Sequence, residues 1–414
     1  MRKFTLRFVV LAMVAIFAIT ACGPQPTVAP TAVPPTAVPP TAQPYIFGMI
    51  LVGAKNDQGW TQATYDGGLY AQAHIPGSQM LYLENVYSGS PAYPGQTASQ
   101  LAEQLVNQGA KLIIFNSDDM KDESNKFAAA HPDIKIIMLS GDQVWQAGKA
   151  YTAIPNMVNI MGRMEYMKMI AGCAAALTSQ TGKIGFLGPL INDETRRLAA
   201  SAFLGANYCW TTVLGKKAAD LTFKVTWIGF WFNIPGVTLD PTQVSDDFFK
   251  NGFDVVISGI DTPEALVEAK KAHDAGKTVS ALAYDYASNC AVAPEICLGV
   301  PYFNWGPAVL ATMKTAIDGT WASNFQWNGP DWTNLQNPDT GAVGFNKGAG
   351  LSADNSTKLD AFIALLAGGL NLWTGPINLQ DASVYLTAST AATDQQIWYL
   401  PQLLEGMQGD SVAK

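Results

Sequence analysis

The chain is 414 residues long, more than one hydrophobic core usually serves, so two packed lobes are expected from length alone and a small disulfide scaffold is excluded. Apolar residues make up 48% and charged residues 14%, which excludes a chain too polar to bury a core. Lys plus Arg number 25 against 33 Asp plus Glu, a net charge of −8, and the body has no basic cluster to follow a phosphate backbone, so nucleic acid is not an expected partner.

The first segment reads as an export signal. Arg2, Lys3 and Arg7 precede an apolar run from Phe8 to Ile19, the charged and hydrophobic regions of a secretory peptide, too short for a mature membrane span. Ile19-Thr20-Ala21-Cys22 then resembles a bacterial lipobox, which predicts cleavage after residue 21 and acylation of Cys22. Losing Met1 to Ala21 removes three positive charges, so the exported remainder is more acidic than the whole. Residues 22–44 are rich in Pro, Thr, Ala and Val, with Ala-Val-Pro-Pro-Thr occurring twice, and lack the large apolar groups a core needs. They are expected to form an extended tether, reaching about 60–70 Å from a lipid surface at roughly 3 Å per residue.

From Tyr45 onward the pattern alternates. The expected elements are a strand at Tyr45–Val52, helix Thr61–Ala73, strand Met80–Glu84, helix Thr97–Gln108, strand Lys111–Asn116, helix Glu123–Ala130 and strand Ile134–Ser140. A helix over Met157–Leu177 opens a second series. It continues with strand Lys183–Leu187, helix Glu194–Tyr208, strand Phe223–Ile228, helix Pro241–Lys250, strand Val255–Ser258, helix Pro263–Ala275 and strand Thr278–Tyr284. Such alternation predicts α/β lobes, each a parallel sheet flanked by helices. The expected division of residues 45–414 is a first lobe of about 45–153 plus 286–325 and a second of about 154–285 plus 326–414.

Four cysteines fall in the body. In an exported protein an even number favours disulfides, Cys290 with Cys297 around a short loop and Cys173 with Cys209 across neighbouring helices. No Cys-x-x-Cys spacing supports a metal site, and His74, His131 and His273 are scattered, so neither metal nor cofactor is expected.

Ligands of open parallel sheets sit at the carboxyl ends of strands, where the loops here carry aromatic, amide and carboxylate groups. These are Gly53 to Trp60, Phe115 to Asp119, Gly229 to Asn233, Gly259 to Pro263 and Tyr284 to Tyr286. The candidate ligand-binding residues are Asp57, Trp60, Asn116, Ser117, Trp231, Phe232, Asp261, Asp285 and Trp305. Each has an ordinary structural alternative: Asp57 can cap a helix, Asn116 and Ser117 can close a turn, one of Trp231 and Phe232 can pack inward, and Trp305 can stiffen a hinge. Flat apolar walls with hydrogen-bonding tips suit a planar heteroaromatic ligand.

Asn56-Asp-Gln-Gly-Trp-Thr61 with Tyr65-Asp-Gly67, Trp227-Ile-Gly-Phe-Trp-Phe-Asn233, Ala283-Tyr-Asp285, Ala293-Pro294, Trp305-Gly-Pro307, Trp373-Thr-Gly-Pro-Ile377, Trp398-Tyr399 and Glu405-Gly406 occur in an order that resembles the basic membrane protein, or PnrA-like, family of substrate-binding lipoproteins. Phe230, Asn233 and Ile234 depart from that family's Ser, Asp and Pro. The resemblance implies a two-lobed type I periplasmic-binding fold with three crossovers and a hinge. It also implies a lipid-anchored protein on the extracytoplasmic face of the cell membrane, which captures a purine nucleobase or nucleoside for an ABC permease. Asp285 would then contact ribose or a ring donor.

Two readings of other kinds compete. A ligand-sensing lipoprotein serving a membrane receptor shares all these features. An exported carboxylate-pair hydrolase is the enzyme alternative. It finds no Gly-x-Ser-x-Gly elbow, no His-Glu-x-x-His helix and no histidine placed to assist a nucleophile, so a non-enzymatic binder is expected.

Overall fold

The computed structural model describes residues 44–413. The expected signal, Cys22 and all of the tether but Pro44 lie outside them.

In the first lobe, strands β1 (Ile46–Ile50), β2 (Gln79–Leu83), β3 (Leu112–Phe115), β4 (Lys135–Leu139) and β5 (Met157–Gly162) alternate with helices α1 (Trp60–His74), α2 (Ala98–Asn107) and α3 (Lys121–Ala130). They form a parallel sheet in the order β2-β1-β3-β4-β5. The second lobe repeats the plan with α4 (Met164–Thr178), β6 (Lys183–Gly188), α5 (Asp193–Tyr208), β7 (Thr222–Trp227), α6 (Pro241–Lys250), β8 (Val255–Ser258), α7 (Glu264–Asp274), β9 (Ser280–Leu282) and β10 (Cys297–Phe303). Its order, β7-β6-β8-β9-β10, is again parallel and equivalent to that of the first sheet. After α8 (Gly306–Ile317), β11 (Phe325–Asn328) returns to pair with β5, and β12 (Val343–Lys347) crosses back to pair antiparallel with β10. The chain ends on the second lobe with α9 (Ala353–Ala367), the ribbon of β13 (Ile377–Asn378) and β14 (Val384–Leu386), α10 (Asp394–Trp398) and β15 (Met407–Gln408), which extends the sheet beside β7.

Residues β3, β5, β8 and β10 are buried along their whole lengths, as strands covered by helices on both faces must be. Local sequence sets the helix starts. Thr97 and Asn192 cap α2 and α5 with reciprocal side-chain bonds, while Asp240 caps α6 ahead of Pro241 at the first helical position.

One expected element is corrected. Met157–Leu177 was a single helix by its continuous apolar content, whereas residues 157–162 form a central strand and the helix starts at Met164. A short apolar run has no period that separates a buried strand from a buried helix. Gly162 ends the strand where a Cβ would stand 2.5 Å from Val343 Cγ1. The crossovers consequently fall after Gly162, Phe303 and Asn328, later than the expected limits at 153 and 285.

Helices α4 and α5 cross at unusually close range. A Cβ on Gly172 would lie 1.8 Å from the Ala202 carbonyl oxygen, and one on Gly205 would lie 2.0 Å from that of Met169. Beside this crossing Cys173 is bridged to Cys209, and Cys290 is bridged to Cys297 ahead of β10. Both pairs have ordinary Cα separations, 5.2 and 5.5 Å. Gly172→Ala should therefore force the helices apart and destabilise the protein by about 1–3 kcal/mol or more. A urea-unfolding midpoint equal to that of the parent would contradict this packing.

Candidate functional site

Strand order reverses between β1 and β3 in one sheet and between β6 and β8 in the other, so loops leave the carboxyl ends there in opposite directions and open a crevice. The two crevices face each other and enclose a narrow slot. Its apolar walls are Trp60 from the first lobe and Phe186, Pro189, Leu198, Trp231 and Tyr284 from the second. The lobes touch around it. A Cβ on Gly59 would overlap the Asp261 carbonyl oxygen at 1.6 Å, and Asn289 Nδ2 donates to the Gln58 carbonyl at 2.7 Å.

The polar lining is dominated by acids. Asp118 follows β3, Glu194 lies in the first turn of α5 and Asp261 follows β8. None of the three carboxylates receives a hydrogen bond from a described residue, so their accepting capacity is unspent. Ser117, Ser140 and Thr195 add hydroxyls, and Lys168 of α4 is the one cation of the lining among the described residues. Lys168 is fully buried, donates to the Ser258 carbonyl at 2.7 Å and lies 3.1 Å from the Tyr284 ring centroid.

Desolvation governs the charges. Burial pushes Asp261 well above the usual carboxylate range, and Asp285 and Asp57 push it further. Asp285 is likewise raised by burial, against the pull of Lys168. Burial drives Lys168 well below an ordinary lysine, with Asp285 and Glu194 partly restoring it. Glu194 is pushed up to about 7, chiefly by burial and against the attraction of Arg197. Glu194 is partly exposed and borders both the slot and the polar space beside it.

Beyond Asp118, Ser140 and Glu194 the slot adjoins a second, polar space of about 650 Å³ that also meets Lys121, Asp142, Lys149 and Arg197. Arg197 is held by Glu165 at 2.6 Å and covers the face of Trp398, 4.0 Å from its centroid.

Of the nine residues expected to bind ligand, Trp60, Ser117, Trp231 and Asp261 line the slot. The other five lie elsewhere. Asp57 caps α1, accepting from the backbone N–H groups of Gly59, Thr61 and Gln62 at 2.9–3.0 Å. Asn116 is spent on the fold: its Oδ1 accepts from Val52 N–H, its Nδ2 donates to Thr64, and its carbonyl receives the Trp60 indole N–H. Phe232 packs on Tyr87 and Phe230 at the rim, 5.5 and 5.1 Å between centroids. Trp305 stacks on Phe303 and meets Trp60 edge-on at 5.1 Å, so it braces the wall from behind. Asp285 is absent from the slot lining and fully buried, with φ +67° and both carboxylate oxygens without a hydrogen-bond partner among the described residues. An aspartate held in that left-handed conformation stores strain of a kind concentrated at functional sites.

Lys168, Glu194, Asp118 and Tyr284 were missed as site residues. Lys168 left a signal, a cation inside a helix buried at every position but Tyr166 and Thr178. Asp118 falls in a loop already marked at the carboxyl end of a strand, whereas Glu194 left none, since it looks like a helix-start acid.

Comparison with known proteins agrees with this geometry. Residues 46–229 match the family model described as ABC transporter substrate-binding protein PnrA-like, the family suggested by the ordered motifs. A purine-binding protein of Brucella abortus (strain 2308) is 27% identical over 355 residues, covering 84% of this chain and 89% of that one. A solute-binding protein of an ABC transporter system from Aeropyrum pernix K1 superposes with a TM-score of 0.60 at 14% identity, over 87% of this chain and 100% of its own. Another from Conexibacter woesei DSM 14684 gives 0.54 at 15% identity, over 78% of this chain and 97% of its own. These structures establish the two-lobed type I periplasmic-binding fold, and the relatives are binding proteins rather than enzymes.

Glu194 makes stability depend on pH in a defined direction. Its folded value, about 7, exceeds the ordinary 4.5, so between them the native state holds a proton that the unfolded chain releases. Stability from this group is full below the lower value and declines as pH rises through that window. Glu194→Gln should flatten the decline by up to about 3 kcal/mol, an upper figure because the carboxylate borders the slot. Urea unfolding of parent and variant across the window checks this, and identical pH slopes would contradict it.

Proposed function

From the premise that this chain is an ABC transporter substrate-binding protein of the PnrA-like family, we propose that it captures a purine nucleobase or nucleoside between its closing lobes. The observation that carries this reading is the slot itself, flat aromatic walls set against carboxylates with unspent accepting capacity. A purine offers two apolar faces to Trp60, Trp231 and Tyr284, and ring N–H or exocyclic amino donors to Asp261, Glu194 or Asp118. Stacking adds roughly 0.5–1.5 kcal/mol per aromatic pair beyond area burial. The polar space past Ser140 and Glu194 has room for a hydroxyl-bearing substituent such as ribose. The Brucella relative, named for purine binding, supports the same ligand class.

Proteins of this family bind small ligands outside the cytoplasm and work with an ABC permease. Acylation of Cys22 would hold the body at the outer face of the membrane, and the Pro/Thr-rich tether would let it reach that permease. None of the described helices is long and apolar enough to cross a membrane. Cys22→Ser should therefore move the protein from the membrane fraction to the soluble extracytoplasmic fraction. Unchanged membrane retention would argue against the lipid anchor.

Trp231 offers the cleaner test of the ligand. Unlike Trp60, it makes no ring contact with another described aromatic residue, so its removal leaves the core packing intact. Trp231→Ala should weaken purine binding by roughly 30- to 1000-fold, about 2–4 kcal/mol, with the ligand-free melting temperature nearly unchanged. Calorimetry that finds equal purine affinity in the variant, or a parent that prefers sugars to every purine, would overturn the proposal.

A further inference from the structure

Lys168 is the unusual member of the slot. It occupies the second turn of α4, in a helix whose other buried positions are apolar apart from Glu165, and no solvent reaches it. Among the described residues no carboxylate lies within salt-bridge distance of it, so it is not half of a described ion pair. Its surroundings are electron-rich: the Ser258 carbonyl at 2.7 Å, the Tyr284 face at 3.1 Å from the centroid, and the longer-range attraction of Asp285 and Glu194. These neighbours oppose the burial that lowers Lys168, and one carbonyl hydrogen bond does not exhaust its N–H groups.

The remaining charged lining is made of acceptors, Asp118, Glu194 and Asp261. The slot lining therefore holds one lysine donor among several carboxylates. On the proposed reading of a purine ligand, that pattern distinguishes the two common kinds. A 6-oxopurine carries adjacent acceptors at O6 and N7, the pair to which a lysine ammonium donates in guanine recognition, and a neighbouring N1–H donor that a carboxylate accepts. A 6-aminopurine places an amino donor where the oxo group stood. Against the N–H groups of Lys168 it would set donor against donor at a buried position, where an unmade hydrogen bond is costly.

We infer that Lys168 is a specificity-determining residue that selects 6-oxopurines over 6-aminopurines. The inference rests on the purine reading above and adds to it the ligand's substitution and the side chain that reads it.

The test measures, by calorimetry, affinities for inosine, guanosine and adenosine in the parent and in Lys168→Met, which keeps the length and apolar stem of the side chain. The parent should favour the oxopurines by about 5- to 150-fold, the range that a well-made base contact discriminates. Lys168→Met should lose most of that preference while its circular dichroism and melting profile stay native. Purine riboside, which lacks the 6-oxo acceptor, supplies a check on the unaltered protein and keeps the question decidable should the variant not fold. It should bind about 5- to 150-fold more weakly than inosine. A folded Lys168→Met with the parental oxo-to-amino ratio, a parent that favours adenosine, or purine riboside binding as well as inosine would each overturn the role of Lys168 alone. A parent that binds none of these purines would overturn the purine reading itself, and this inference with it.

Discussion

The site depends on the cost of taking charge out of water. Asp261, Asp285, Glu194 and Lys168 are gathered at an apolar, largely enclosed slot, where an uncompensated ion costs several kcal/mol. Within the cleft, burial disfavours charge of either sign, raising the acids and lowering the lysine, while Asp285 and Glu194 partly restore the lysine. A ligand whose donors and acceptors match these groups offsets that cost with hydrogen bonds. Aromatic walls by themselves would accept any flat molecule. The buried polar groups supply the discrimination, because a ligand that leaves one unpaired loses more than a ligand that merely fits less snugly.

Holding such groups in register requires a rigid scaffold on both sides. Lys168 and Glu194 come from α4 and α5, and the glycines at their crossing let these helices approach until backbone meets backbone. On the first lobe Trp60 is fixed by its indole N–H on the Asn116 carbonyl and by edge-on contact with Trp305, which sits where the chain crosses between lobes. The slot wall is thus joined to the hinge. Neighbouring Asn304 donates to carbonyls of the 337–341 segment, tying one crossover to another. Arg163 does the same at the remaining crossover, reaching the Trp327 carbonyl and forming a paired bond with Asp394.

Most of the fold was legible in the sequence because its signals are local. Strand runs bounded by Gly, helix caps such as Thr97 and Asn192, and strict alternation all act over a few residues. The failure at 157–162 arose where locality fails, since a strand buried on both faces has no polar side to mark its period. The site was legible only in part for a related reason. Trp231 and Asp261 were found because loop residues after strands have a known direction. Asn116 and Asp57 were candidates of equal chemistry, yet the fold uses their polar groups for its own backbone. Lys168 and Glu194 enter from helices far along the chain, and only the packing of α4 on α5 brings them to the slot.

Closure can be divided between contacts that ignore the ligand and contacts that require it. On one flank Tyr399 of the second lobe stacks on Trp145 of the first, 5.8 Å between centroids, while its hydroxyl bonds to Asp142 and receives the Lys149 N–H. On the other flank Phe230 and Phe232 meet Tyr87. These apolar and hydrogen-bonded seams favour the closed form whatever the slot holds. The buried carboxylates act in the opposite sense, because opening returns them to water. A ligand shifts this balance only by the difference in its affinity for the two forms, so a molecule that stacks on one open lobe without satisfying the acids closes little. On the proposed reading the seams set how tightly every ligand is held, and the charges within the slot set the order in which ligands are preferred.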